Sequence, residues 1–294
     1  MRAGLLIRLP QVEWQDRERR HRDRVARFAE PYLERRSHGV RHPVEDFLFT
    51  YYNQKPGRLM RWHPGAGVVL TGAAASDRVD WKHYIAADGG VRVDAQRFAI
   101  ERRDAVDFAR VILARTAARP AQFGCFGLHE WAMAYRSAVN GVRHEYLQLR
   151  LGADGTDDVV DSARIRCTHF DAFRFYAPEA VPLNEHTPTR ETQRDLEQPG
   201  CLHANMDLYK WAYKLSPLLP SEIVMDCFEL SWRIRTMDMR ASPYDLADWG
   251  YTPIAIETAE GKAEYVRLQR GFAEESQALR TRLLGLLDAA PDTP

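Results

Sequence analysis

Cys201-Leu202-His203-Ala204-Asn205-Met206-Asp207-Leu208-Tyr209-Lys210-Trp211-Ala212-Tyr213-Lys214-Leu215-Ser216 is the stretch whose reading decides the fold class. Leu208, Trp211, Ala212 and Leu215 recur at three- and four-residue spacing, the period of one apolar helix face. His203 and Asp207, four apart, share a second face with Lys210 and Lys214 at the following turns. That face makes a site if it points inward and an ordinary surface pair if it points outward. Similar spacing predicts helices around it, over about 189–198, 221–240 and 257–288.

Toward the N-terminus, residues 11–36 read as a highly charged helix with a thin apolar stripe of Val12, Val25, Phe28 and Leu33. Pro43 suits a first helical turn, with Glu45 and Asp46 near the positive end of the helix dipole. The aromatic run Phe47 to Tyr52 stops at the turn signal Lys55-Pro56-Gly57. Residues 94–118 place Phe98, Val106, Phe108, Ile112 and Leu113 at helical spacing and end before Pro120.

β signals are few. Val68-Val69-Leu70 reads as a short strand, Leu147 to Leu151 alternates like one, and Ile165 to Tyr176 suits strand or helix. Residues 182–188 read as loop. Ser242-Pro243-Tyr244-Asp245 has the N-cap, first-turn proline and acidic residue of a helix start. With no internal repeat and no low-complexity linker, the expectation is one mainly α domain over 1–294 with a minor β component. Within it, 11–36 forms the charged N-terminal helix, 120–216 a candidate active-site core and 221–290 the C-terminal helices.

Composition excludes several classes. The 294 residues carry 41 Lys+Arg and 41 Asp+Glu, with 45% hydrophobic and 28% charged residues, an ordinary globular balance. Zero formal charge argues against coating nucleic acid or anionic membrane by bulk charge. Only Lys55, Lys82, Lys210, Lys214 and Lys262 are lysines, so the cations are nearly all guanidinium forks suited to carboxylates and phosphates. Leu5-Leu6-Ile7 is too short for a signal segment, and no apolar run has membrane-spanning length. Four cysteines are too sparse for a disulfide framework, so a cytoplasmic location without membrane partners is expected.

Those few cysteines nevertheless mark the reactive segments. Cys125, His129 and Glu130 form one; Cys167, His169 and Asp171 the second; Cys201, His203 and Asp207 the third. Imidazoles and carboxylates from these segments suit one divalent ion, non-haem iron or zinc, with candidate ligands His129, His169, Asp171, His203 and Asp207. No spacing among them is diagnostic. His129 and Glu130 are adjacent and on a helix diverge by about 100°, so both cannot easily face one ion. A hydrolytic site needs less: Asp171 or Glu130 to activate water, with His169 or His203 assisting. Trp131, Tyr51 and Phe173 then offer flat faces to a base, and Arg174 and Arg190, beside Arg143 and Arg166, offer contacts to phosphates. There is no Walker loop, no dinucleotide glycine motif and no Gly-x-Ser-x-Gly elbow.

The motifs His42-Pro43-Val44-Glu45-Asp46-Phe47-Leu48-Phe49-Thr50-Tyr51-Tyr52, Arg61-Trp62-His63-Pro64-Gly65, Gly124-Cys125-Phe126-Gly127-Leu128-His129-Glu130-Trp131, Arg166-Cys167-Thr168-His169-Phe170-Asp171-Ala172-Phe173-Arg174-Phe175 and Gln198-Pro199-Gly200-Cys201-Leu202-His203 resemble a bacterial family labelled 3-methyladenine DNA glycosylase. The resemblance spans nearly the whole chain. It implies hydrolysis of an N-glycosidic bond of a damaged base, with DNA as partner. It supplies no residue roles, so the candidate site residues rest on their chemistry. The alternative is a metal-dependent enzyme acting on a small molecule through the His/carboxylate set. A non-catalytic binding protein, its polar motifs a structural network, is the third reading. For any shared site, His129, His169 and His203 must lie together.

Overall fold

The computed structural model describes residues 6–87 and 89–290; Leu5 of the N-terminal apolar stretch lies outside them. The chain is mainly α-helical with a minor β component, as its periodicity predicts. Its helices are α1 (Gln11–Ser37), α2 (Phe47–Tyr51), α3 (Pro56–Leu59), α4 (Ala95–Glu101), α5 (Arg103–Ala117), α6 (Leu128–Met133), α7 (Ser137–Asn140), α8 (Gly152–Ser162), α9 (Phe170–Phe173), α10 (Gln193–Leu196), α11 (Leu202–Lys214), α12 (Ser221–Arg240) and α13 (Ala259–Ala289). The strands are β1 (Ile7–Leu9), β2 (Val68–Thr71), β3 (Tyr84–Ala87) and β4 (Gly90–Val93). No described helix is long and apolar enough to cross a membrane. The chain packs as two compact units.

The first unit comprises Met1–Leu113, Leu208–Glu229 and Leu279–Pro294. Its sheet has the order β1-β2-β4-β3, with β1 parallel to β2 and the other pairings antiparallel. Leu70, Val91 and Val93 turn one face onto Trp14 and Trp62, where the apolar surface leaves water. Arg78 enters this cluster, its guanidinium 4.5 Å from the Trp81 ring and 5.1 Å from Trp14. It donates there to Trp62 O and to Glu18, each at 2.8 Å, so the buried guanidinium has both a hydrogen-bond acceptor and a counter-charge. The buried stripe of α1 differs from the expected one: it runs through Trp14, His21, Val25, Ala29 and Tyr32, while Val12 and Leu33 are exposed. Only Val25 belongs to both. The helix expected over 94–118 is interrupted at Arg102 and begins anew as α5, with Asp94 capping the Arg97 N–H of α4 at 3.0 Å.

The second unit comprises Ala114–Asp207 and Leu230–Ala278. The strand expected at 147–151 is reduced to one bridge, Leu149 to Tyr244. That bridge also explains why Ser242-Pro243 opens no helix: Pro243 O accepts from Arg150 N–H and Asp245 N–H donates to Gln148 O, so the local backbone is committed across the chain. The helix expected over 189–198 shrinks to α10. Thr189 and Thr192 exchange side-chain-to-backbone bonds of 2.9 and 3.2 Å and hold the preceding residues as a turn.

Candidate metal centre

The centre lies within the second unit and is built from four helical segments. Before α6, Phe126 and Gly127 both take positive φ, +49° and +73°. For a bulky aromatic this is an uncommon conformation, whereas the glycine adopts it without penalty. A Cβ on Gly127 would also come within 3.2 Å of the Tyr265 ring. This turn sets the entry of α6, whose first turn carries His129 and Glu130.

The two neighbours point to different partners, as their helical divergence requires. His129 Nε2 lies 2.9 Å from Asp238 Oδ1, and Glu130 accepts from Arg235 at 2.7 Å. Arg235 and Asp238 are one turn apart on α12, with the guanidinium 3.7 Å from Asp238 Oδ2. On α11, Asp207 is buried and His203 half-buried against His129, so the two do not form an ordinary surface pair. His169 stands at the N-terminal edge of α9, with Nδ1 3.1 Å from Glu197 and Nε2 3.8 Å from Asp207.

The three histidines are consecutive neighbours. The rings of His129 and His203 are 4.5 Å apart edge to face, and those of His203 and His169 are 5.3 Å apart and nearly parallel. Two ligand sets result, each with donor atoms within 4.8 Å of one another: His129, His203 and Asp238, and His169, Glu197 and Asp207. The first is a two-His, one-carboxylate set; the second has one imidazole and two carboxylates. Both suit the harder first-row ions and zinc. His203 and Asp207, four residues apart on α11, link them.

Burial makes the charges here consequential. Asp238, Asp207, Glu197 and Glu130 are each at most 5% exposed. Arg235 is the guanidinium that pairs within the group, and it serves Glu130 and Asp238. Asp238 Oδ2 makes no hydrogen bond although it is fully buried. Tyr265 OH and Gln269 Oε1 are likewise buried without a hydrogen-bond partner, and both residues line a small cavity with His129, His203, Cys125 and Cys201. Such orphaned polar atoms around a cavity are where a water or an ion belongs.

The imidazoles are tuned apart. Burial opposes the charge on His129, but Asp238 beside it holds the group well above the ordinary imidazole range. Burial, then the neighbouring His129, pushes His203 well below it, so its lone pair is available. Glu130 resists burial because Arg235 lies against it, and stays ionised down to about 2. Burial pushes the Cys167 thiol up to about 11, which leaves it protonated and a poor ligand.

Of the residues singled out in the sequence, His129, His169, His203 and Asp207 meet here. Asp171 belongs to neither ligand set and pairs with Arg174 at 3.0 Å. Trp131 is fully buried with its indole N–H donated to Ala241 O, so it offers no free face. Phe173 is buried against Tyr176. Arg174 lies over Phe175, and Arg190 is exposed over Phe170. Arg143 lies over the Phe175 ring, and Arg166 pairs with Glu185. Tyr51 is in the first unit, stacked on Phe47. Sequence reasoning missed Glu197, Asp238 and Arg235. Glu197 immediately precedes the Gln198-Pro199-Gly200 motif, a proximity that could have flagged it; Asp238 and Arg235 sit inside a long helix with no local signal. Comparisons with protein-family models, curated proteins and solved structures return no match.

Proposed function

We propose that the protein is a metal-dependent enzyme acting on a small molecule, its ion held by His129, His203 and Asp238, with His169, Glu197 and Asp207 as a second position. The observation that carries this reading is geometric: buried carboxylates and imidazoles converge in two sets whose donor atoms lie within 4.8 Å of one another, beside a cavity lined by Tyr265 and Gln269. A divalent ion held there would take the place of the proton on His129 and, as a Lewis acid, would polarise a water or substrate oxygen. Arg235 fixes Asp238 and Glu130, and the edge-to-face contact of His129 and His203 sets the direction of both rings.

Elemental analysis of purified protein tests it. Stoichiometric iron or zinc, lost in His203→Ala and reduced in His169→Ala, is the expected result; a folded, active protein free of metal overturns it.

Base excision on DNA, which the family resemblance implies, draws less support from these residues. Of its expected water activators, Glu130 is held ionised by Arg235 and Asp171 is paired with Arg174. A base weakened to that degree abstracts a proton poorly at neutral pH. Failure to bind DNA bearing an abasic site at low salt would count against it further.

One observation favours a second reading. Cys125 Sγ is 3.5 Å from His129 Nδ1, whose Nε2 meets Asp238, the order of nucleophile, base and orienting acid. In that reading sulfur attacks an acyl carbon, the bond to the leaving group breaks, and the charged His129 gives its proton to the departing group. Cys125→Ala separates the two: it abolishes acyl transfer and leaves metal content intact.

A further inference from the structure

Beside the small cavity the second unit carries a larger open groove of about 440 Å³, lined by Phe126, Leu128, Val159, Arg164, Arg166 and Lys262 among others. Arg166 lines both spaces, and residues 124–129 alternate between them: Gly124, Phe126 and Leu128 face the groove, Cys125 and His129 the cavity. The groove and the cavity therefore share a wall, the 124–129 segment with Arg166. Its volume is that of a small-molecule site.

Its charge is one-sided. Arg164 and Arg166 share a single carboxylate oxygen, Glu185 Oε2, each at 2.8 Å. Lys262 forms no ion pair among the described residues, and its Nζ is 6.0 Å from the Phe126 ring centre. The adjoining surface adds Arg267 and Arg270, also without ion pairs among the described residues, with Arg270 over Phe123. Glu257 in the wall is already neutralised by Arg150 through bonds of 2.9 and 3.1 Å. Five cations thus face Glu185 and Asp158 in a chain whose formal net charge is zero. Helix α13 joins the two features: Tyr265 and Gln269 turn to the cavity, while Lys262, Val266 and Arg270, four apart, turn outward.

We infer that this groove binds the anionic part of the substrate, a small polyanion carrying phosphate or several carboxylates, and presents it to the metal centre. The inference rests on the metal-enzyme reading for the purpose of the groove and not for its binding. Guanidinium forks match phosphate and carboxylate oxygens, and the Phe126 and Phe123 faces take an adjoining apolar or flat portion. The concave, bounded shape and the balanced charge of the whole chain favour a small molecule over a nucleic-acid strand.

Calorimetric titration of EDTA-treated protein with inorganic pyrophosphate and with citrate tests the groove without interference from a metal. Saturable binding of at least one is expected, and which one binds tighter tells phosphate from carboxylate. Lys262→Ala/Arg270→Ala, two exposed positions on one helix, is expected to weaken it tenfold or more, and Arg166→Ala to do likewise. Arg20→Ala/Arg22→Ala on α1 changes net charge equally and is expected to leave binding unchanged. No saturable binding by wild type, an equal loss in the α1 variant, or tighter binding of a short single-stranded oligonucleotide through the same residues would overturn the proposal. Metal content of the same preparations, read before EDTA treatment, decides the metal reading separately.

Discussion

In the first unit, arginines pair with partly buried acids: Arg24 holds Asp226 and Glu229, Arg78 holds Glu18, and Arg35 holds Glu45 and Asp46. In the second, Glu130, Glu197, Asp207 and Asp238 are more deeply buried and gather around three histidines with Arg235 as their paired guanidinium. The first arrangement is complete within the chain and needs nothing else to be stable. The second carries buried oxygens without a hydrogen-bond partner, Asp238 Oδ2 and Gln269 Oε1 among them, a state that a bound ligand completes.

The largest expected effect comes from removing Arg235. Arg235→Met takes from buried Glu130 its guanidinium and leaves Asp238 with His129, and is expected to destabilise the fold by about 3–5 kcal/mol. Glu130→Gln in the same chain is expected to return part of that loss, as read by chemical denaturation. A loss no larger than that of a surface arginine would show that an ion already neutralises the pair.

Metal removal comes next. If an ion binds the folded state alone, EDTA is expected to lower stability by about 3 kcal/mol when the free ion had been a hundredfold above its dissociation constant. His203→Ala, lacking a ligand, is expected to show no response to EDTA. By contrast, Arg24→Ala in the first unit breaks three part-buried hydrogen bonds to Asp226 and Glu229 and is expected to cost about 1–2 kcal/mol, unaffected by chelator. A chelator response that survives in His203→Ala and is lost in Arg24→Ala would invert the comparison.

The helices and the three Cys-His segments were legible because both are local signals. Periodicity over 201–216 and 221–240 needs no tertiary knowledge, and α11 and α12 match it within two residues. His203 and Asp207 were legible for the same reason. Asp238 was not: it belongs to His129, 109 positions away, and inside α12 it looks like any helical acid. Trp131 misled because an aromatic beside His129 reads as a stacking surface, and only its bond to Ala241, 110 positions on, shows it to be core. Tertiary backbone pairing overruled the helix signature at Ser242, which no local rule could anticipate.

The smallest effect probes the first unit alone, through pH. His63 is half-buried, its Nδ1 2.9 Å from Tyr84 OH, and burial with Arg78 nearby pushes its pKa down to about 3. In the unfolded chain the same imidazole takes up its proton near about 6.5. Between those values the unfolded state binds more protons, so the stabilising contribution of His63 is full above the unfolded value and drains away as pH falls toward the folded one. His63→Gln keeps a hydrogen-bond partner for Tyr84 and does not titrate. Its unfolding free energy is therefore expected to fall by about 1 kcal/mol less than wild type between about pH 7 and pH 5, after allowance for solvent around the ring. Parallel curves for the two proteins would show that His63 accepts its proton in the folded state, which the Trp81 and Arg78 surroundings resist. The same scan on His203→Ala adds a contrast: in the second unit acid also competes with metal for the ligands, so wild type there loses stability with acid in a metal-dependent way that no variant of His63 alters.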